Sequence, residues 1–452
     1  MTSVCDSVIF GNIFSTKESA AIWSDTGRTS YYVAFEAALA VSQGKLGIIP
    51  QKAADQISKQ CKIENIDLEE LRKQTEQIGY PVLGVVKQIV KRVNQIEDGL
   101  GEYTHWGATT QDITDTATVL QLRDTLVLVS ASLEKIVADL RLASEKYKST
   151  PMPARSNLQQ AVPMTFGFKM ARLLATFERH QTRLAEVRSR LLVVEFGGAA
   201  GTLATIADGK GLECQEELAK QLGLGVPEIA WHTERDRIAE VGGLFALIAG
   251  TCAKFAFDIK LLMQTEVGEV SEPYYAHRGS SSTMPQKRNP ISSAYITAMS
   301  STIRQLSAAL YDAMVEDHER STGPWEIEWI VLPQICTLMH ATLKQTSDVI
   351  AGIEVHPEAM KRNLDISKGA IVSEAVMMGL GPTLGRQFAH DLVYDLCRKA
   401  VVDDVPLLDL LRKDTKVQES GLTDEVLTGL CDPGNYLGLS VEMVDRVLEK
   451  NY

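Results

Sequence analysis

A chain of 452 residues is too long for one hydrophobic core, and the usual size of core-forming units predicts two or three domains. Apolar residues make up 45% and charged residues 23%, the balance of a soluble globular protein rather than of a disordered or membrane chain. The formal charge of -12 repels phosphate backbones and no local basic patch offsets it, so a nucleic-acid partner is excluded and a small-molecule partner is expected.

Taken from the N-terminus, the first ten residues lack a basic region followed by a long apolar run, so no signal peptide is expected. The seven cysteines are odd in number and scattered without a CxxC pair, as reduced thiols of an intracellular, cytoplasmic protein would be. Glycines punctuate 99–107, and a long helix follows. Its apolar positions Val119, Leu122, Leu126, Val129, Leu133, Ile136 and Leu140 recur at spacings of three and four and form one stripe. A second seam runs Leu173, Phe177, His180, Leu184, Val187, Leu191, Val194, and a third runs Leu244, Ile248, Cys252, Phe255, Ile259, Leu262. The most apolar stretch, 241–257, is interrupted by Lys254, so no membrane span is expected. Further helices are predicted at 292–315 and 327–350, and shorter ones after His356. Period-two alternation is scarce, so the fold class is all-α. Long helices of this kind pack nearly antiparallel. Three domains are expected: 1–110, helical; 111–355, a central long-helix bundle; and 356–452, helical. Leu128, Val137, Leu247 and Phe257 lie outside the seams, and subunit association is the simplest use for them.

Between two of these helices stands Gly279-Ser280-Ser281-Ser282-Thr283-Met284-Pro285-Gln286-Lys287-Arg288-Asn289-Pro290, dense in hydroxyls, with two cations and a proline set to start the next helix. A polar loop of this composition is ordinarily a solvated connector. Its order, however, closely resembles the GSSxMPxKxNP signature of the fumarase/aspartase superfamily. The residue types suit that chemistry. Removing a proton beside a carboxylate creates an aci-carboxylate with two negative charges, which needs fixed donors and a cation; Lys287 and Asn289 can supply them. A serine is a poor base in water, so Ser281 needs its alkoxide stabilised by amide N–H groups or a cation and shielded from solvent. The resemblance implies Ser281 as catalytic base, Lys287 and Asn289 as carboxylate holders, and Ser282 and Met284 as their neighbours in the loop.

Two further blocks carry the likeness. His105-Trp106-Gly107-Ala108-Thr109-Thr110-Gln111-Asp112 precedes the first long helix, where hydroxyls and free N–H groups cap the helix or bind an anion. It resembles the family's HxGATSQD segment, which implies Thr109, Thr110 and Gln111 as substrate binders and gives His105 a polar role in the site. Residues 152–167, MPARSNLQQAVPMTFG, resemble the family's RTHxQxAxPxTxG. Here the chain departs from the pattern. Many members carry a proton-delivering histidine in this segment, where this chain has Asn157 and Gln160, and neither amide is a general acid near neutral pH. These two remain substrate-contact candidates. The acid comes from elsewhere, or the leaving group needs no proton. His232 in WHTERDR and His318 in EDHERS are the candidate acids, each alternatively a structural histidine held by its flanking carboxylates. His180, on an apolar seam, reads as a hydrogen-bonded core residue. Arg320 is a carboxylate-binding candidate by its matching block, while Arg235 and Arg237 read first as salt-bridge residues.

The resemblance spans almost the whole chain and is nearest to the 3-carboxy-cis,cis-muconate cycloisomerase branch through FEAALA, WHTxRDR, SSTMPxKRNP and HERSxGxW. The adenylosuccinate lyase pattern is less similar: its phosphate-binding Arg-Tyr pair is replaced by Phe14-Ser15-Thr16, and its HERDISHSS block reads His318-Glu319-Arg320-Ser321-Thr322-Gly323-Pro324. The implied function is a lyase or cycloisomerase working through an aci-carboxylate on a small polycarboxylate, without metal or organic cofactor. The implied assembly is a homotetramer with sites shared between subunits. Alternatives are a lyase releasing fumarate from a succinyl-substituted compound, and a non-catalytic crystallin-like role, which the intact Ser281, Lys287 and Asn289 disfavour.

Overall fold

The computed structural model describes residues 4–321 and 323–450, so the first three residues and Thr322 of the 318–324 block lie outside it. Among the described residues are nineteen α-helices and two short antiparallel strand pairs, which is the all-α architecture expected. The predicted stripes explain the long helices. In Thr110–Lys146 all seven seam residues from Val119 to Leu140 are buried, as are all six from Leu244 to Leu262 in Asp236–Leu262. That second helix is long and apolar enough to cross a membrane by length and composition alone, yet its seam is buried in protein. In Phe166–Leu191 the seam is shifted at one end: Leu174 is buried while Leu173 is only half-buried. Val194 lies past this helix, in an extended segment where its N–H donates to the Gly225 carbonyl at 3.0 Å. Ile291–Asp312 and Pro324–Gly352 complete the long set.

The chain forms two compact units, each assembled from separated segments. The first comprises Met1–Leu133, His180–Cys252 and Ala298–Lys344. Its amino-terminal core packs Asp25–Lys45 against Gln51–Gln60 and Gly211–Leu222, with Phe35, Leu39, Ile57 and Ile89 buried among them. Local chemistry sets the helix starts: Thr16 and Ser19 form a reciprocal capping box, and one Asp67 oxygen accepts the N–H groups of Glu69 and Glu70. Gly242 and Gly243 permit a close helix approach. A Cβ at Gly242 would lie 2.5 Å from Leu310, and one at Gly243 would lie 2.6 Å from the Tyr311 hydroxyl. His180 is a buried core residue as expected, with Nε2 at 2.8 Å from the Thr251 hydroxyl.

The second unit comprises Glu134–Arg179, Ala253–Thr297 and Gln345–Tyr452. It holds a hairpin not foreseen from the sequence, Pro151–Ser156 paired with Gln159–Thr165. Asn157 and Leu158 close it, with φ of 50° and 65°; a two-residue turn with both central residues left-handed matches the twist of paired strands. Three prolines within the strands masked the pattern, because each removes a ladder donor. The Pro357–Asp365 and Ser440–Leu448 helices contact these strands. A separate core of Val376, Leu380, Val393 and Leu411 joins the short C-terminal helices.

Candidate active site

In the first unit the 105–112 block is built around Asp112. This carboxylate is fully buried and accepts four hydrogen bonds. Oδ1 takes the Gly197 N–H at 3.0 Å and faces His232 Nε2 at 2.7 Å; Oδ2 takes the Gly198 N–H at 3.0 Å and the Thr109 N–H at 2.9 Å. One side chain thereby joins the start of a long helix, the glycine-rich 197–201 turn and the WHT segment. His105 has a left-handed φ of 61° and places Nδ1 at 2.5 Å from Glu36 Oε1. Burial opposes charge on this ring, but the Glu36 carboxylate outweighs it and raises its pKa. The hydroxyls of Thr109 and Thr110 are half-buried and carry no hydrogen bond among the described residues, which leaves them able to donate to an anion. Gln111 differs. Its amide N–H₂ donates to the His232 carbonyl at 2.6 Å and to Asp115 at 3.1 Å, and only a buried acceptor oxygen is left without a partner. Such an amide orders the loop and has no donor left for a substrate carboxylate.

His232 is 4% exposed and sits between Asp112 and Glu195, the latter at 3.5 Å. Burial disfavours its charged form, yet the Asp112 hydrogen bond and the two carboxylates raise its pKa overall. Glu195 is pushed up to about 8, first by burial and further by Asp112, against the pull of His232. These three side chains offer ligand atoms within 4.8 Å of one another, which is metal-ligand spacing. Within the set, His232 Nε2 pairs with Asp112, while Glu195 accepts the Trp231 N–H at 2.6 Å through Oε2 and leaves Oε1 facing His232 without a hydrogen bond among the described residues.

Beneath it, Arg235 is fully buried with forks to Asp115 at 2.7 and 3.0 Å and to Glu328 at 2.9 and 2.6 Å. Asp115 also accepts the Trp325 indole N–H at 3.0 Å. Glu316 lies 3.8 Å from Arg235 with neither carboxyl oxygen hydrogen-bonded, and burial pushes it up to about 8. Arg320 donates to the Ala199 carbonyl at 2.8 Å. His318, at φ 51°, is exposed and takes part in none of these bonds.

In the second unit the signature loop is stapled at its base. Asn289 donates to the Gly279 carbonyl through its backbone N–H at 3.1 Å and its side-chain amide at 2.8 Å. Gly279 has φ 71°, and a Cβ there would lie 2.6 Å from the Asn289 carbonyl, so only glycine fits. Asn289 therefore holds the loop shut, using one of its two amide N–H donors for that task. At the tip, Ser281 Oγ accepts the Met284 N–H at 3.1 Å and the Thr283 N–H at 3.3 Å. Those are the amide donors an alkoxide at this position requires. Ser282, Met284 and Lys287 are exposed, and Lys287 has no ion pair among the described residues. Asn157 stands at the exposed hairpin turn. Gln160 lies on the second strand and donates to the Asn363 carbonyl at 2.7 Å, leaving its own carbonyl oxygen buried without a partner. The Asn363 amide in turn donates to Glu269 at 2.8 Å, which holds the Arg155 fork at 2.6 and 2.9 Å.

Sequence reasoning left out Glu36, Asp115, Glu195 and Glu316. The only signal for them was their acidity, and each meets its partner across a long stretch of chain. Arg278, with Tyr274 and Tyr275, was also passed over, although it stands directly before the signature.

Comparison with known proteins agrees with this geometry. A family model described as Lyase matches residues 13–304, and one described as Adenylosuccinate lyase C-terminus matches 369–447. Trans-aconitate decarboxylase 1 of Mycosarcoma maydis is 56% identical over 97% of this chain and 88% of its own length. The 3-carboxy-cis,cis-muconate cycloisomerase of Pseudomonas aeruginosa is 39% identical over 100% of this chain and 98% of its own. The crystal structure of the 3-carboxy-cis,cis-muconate lactonizing enzyme from Pseudomonas putida superposes with a TM-score of 0.92 at 39% identity, covering 98% of each chain. A long-helix scaffold, an amide-cradled serine in a GSSxMPxKxNP-type loop and relatives of this similarity over full length make the chain an enzyme of the fumarase/aspartase superfamily, with lyases and cycloisomerases as its kin.

Proposed function

We propose that this enzyme decarboxylates a small unsaturated tricarboxylate, with trans-aconitate as the first candidate. The observation that carries the reading is position 160. Where cycloisomerase-type relatives are expected to keep a histidine, Gln160 has no titrating proton, and its N–H₂ is held by the Asn363 carbonyl. A leaving group that departs as carbon dioxide needs no proton. The higher identity to a decarboxylase, 56% against 39% for a cycloisomerase, supports the same choice.

The chemistry stays within that of the family. In trans-aconitate one carboxylate sits on a methylene next to the double bond. When its C–C bond breaks, the electron pair forms a new double bond to the methylene carbon and displaces the old π pair onto the carbon bearing a second carboxylate. The result is an aci-carboxylate. A proton delivered to that carbon gives an unsaturated five-carbon dicarboxylate, so one proton is consumed per carbon dioxide released. Ser281 is the proposed donor: the amide N–H groups of Thr283 and Met284 stabilise its alkoxide once the proton has left, and solvent restores it. Lys287 is proposed to hold a carboxylate beside Ser281, and the Thr109 and Thr110 hydroxyls are proposed as anion donors in their own block. His232, buried against Asp112, positions the 105–112 block rather than moving protons to substrate. A homotetramer is proposed to cover exposed apolar residues such as Leu247 and Phe257, which sedimentation at micromolar concentration tests.

The deciding assay offers the purified protein trans-aconitate, 3-carboxymuconate and a set of N- and S-substituted succinates, following carbon dioxide release, loss of diene absorbance and gain of fumarate. Carbon dioxide from trans-aconitate alone is expected. Lactonisation of 3-carboxymuconate without decarboxylation refutes the reading, as does fumarate release from a substituted succinate in preference.

A further inference from the structure

We propose that a cavity of about 240 Å³ beside the signature loop is a carboxylate pocket, and that Arg278 makes it select tricarboxylates over dicarboxylates. This rests on the decarboxylase reading for its substrate and on the cavity's own chemistry for its ligand class. Three cations line it, Arg278, Lys287 and Arg288, against one carboxylate, Glu272. That carboxylate is already committed: its two oxygens accept the N–H groups of Ser292 at 3.1 Å and Ser293 at 2.7 Å, capping the Ile291–Asp312 helix. Arg288 is partly offset by Glu354 at 3.2 Å. Lys287 has no ion pair among the described residues.

Arg278 is the unusual member. Its hydrogen bonds go only to neutral oxygens, the Ser292 hydroxyl and Gln345 Oε1 at 3.0 Å, and both leave from Nη2. The Nε and Nη1 donors of the fork are uncommitted among the described residues. The guanidinium lies over the Tyr275 ring at 5.5 Å, as that of Arg288 lies over Tyr274 at 5.4 Å, so both cations are oriented without being neutralised. An oriented guanidinium with open donors and no counter-ion is suited to two parallel bonds to a carboxylate. Ser281 belongs to the same loop, three residues on. With Lys287 and Arg288 on the same cavity wall, three cations can each meet a carboxylate, so a tricarboxylate has one for the Arg278 fork that a dicarboxylate seated on the other two lacks.

The test is calorimetric binding of two unreactive ligands to the full chain, propane-1,2,3-tricarboxylate and pentanedioate, which differ by the central carboxylate. The wild type is expected to bind the tricarboxylate more tightly by roughly tenfold or more, the scale of one charge-assisted bidentate contact. Arg278→Gln should abolish that preference and leave pentanedioate affinity within about twofold; Arg278→Lys, which keeps the charge but loses the fork, should fall between. Melting curves report folding, and if the Gln variant does not fold the Lys variant carries the comparison. Absence of a preference in the wild type overturns the proposal, and so does equal loss of both ligands or no loss in the variant that folds. The two readings fail separately. Arg278-dependent selectivity without carbon dioxide release removes only the decarboxylation, whereas carbon dioxide release with unselective binding removes only the pocket.

Discussion

Replacing Asp112 with Asn tests the view that one buried carboxylate organises the 105–112 block. The amide is nearly isosteric but accepts at only one of its two positions. With N–H₂ in place of Oδ2 it would face the N–H groups of Gly198 and Thr109, two donors with no alternative acceptor. With N–H₂ in place of Oδ1 it meets the Gly197 N–H and His232 Nε2, and a neutral imidazole can accept there, so this orientation costs less. The loss is then one buried N–H left unpaired together with the charge-assisted character of the remaining bonds. Hydrogen bonds to charged groups contribute about 1.5–3 kcal/mol each, which gives a destabilisation of about 2–4 kcal/mol. Against a usual stability of about 5–15 kcal/mol this is large but compatible with folding. Urea unfolding followed by circular dichroism measures it, and the His232 ring protons report the local effect. Burial already works against the charged ring, so without the Asp112 carboxylate its pKa should fall from its raised value. A variant unfolding within about 0.5 kcal/mol of wild type, with an unshifted His232 titration, would refute the organising role of Asp112.

Ser281→Ala should reduce turnover by at least roughly 100-fold while leaving the melting temperature unchanged, because a half-exposed loop hydroxyl contributes nothing to a core; retention within tenfold would mean another residue moves the proton. Glu316 supplies a pH prediction. Burial raises its folded pKa to about 8, above the ordinary carboxyl value of the unfolded chain, so its stabilisation is fully present below that unfolded value and is lost as pH rises towards 8. Glu316→Gln should flatten this part of the stability profile and be relatively more stable at pH 8 than at pH 5, and unfolding midpoints that decline in parallel with wild type would contradict it.

The fold was legible because long helices repeat one physical signal many times. Seven apolar positions at spacings of three and four place the burial of Thr110–Lys146 without ambiguity, and the third seam does the same for Asp236–Leu262. At the start of Phe166–Leu191 the stripe is displaced, with Leu174 buried in place of Leu173, one residue and about 100° away. The hairpin was not legible. A turn made of Asn157 and Leu158 lacks the glycine that usually announces two left-handed residues, and Pro151, Pro153 and Pro163 argue against paired strands. Tertiary cover from the Pro357–Asp365 and Ser440–Leu448 helices overrides both objections.

The site divides along the same line. Contiguous chemistry was readable: Ser281 needed amide donors, and the N–H groups two and three residues along its own loop provide them. Roles decided by distant partners were not. Gln111 reads as a ligand for a carboxylate until the His232 carbonyl and Asp115 are seen to take its amide protons, and Asn289 spends one of its two on the Gly279 carbonyl. Gln160 is the case with most consequence. In the sequence it is a histidine position that has lost its acid, and drift and redesign look alike. In the fold it ends a chain of fixed contacts, from the Arg155 fork through Glu269 and Asn363 to its own amide N–H₂. The same contacts leave its carbonyl oxygen buried without a partner among the described residues. An acceptor there repels a carboxylate and tolerates a water, a hydroxyl or a protonated acid, so a substrate whose departing group requires a proton finds no help at this position. One whose departing group leaves as neutral carbon dioxide asks for none, and the fixed amide of Gln160 is compatible with the decarboxylation proposed above.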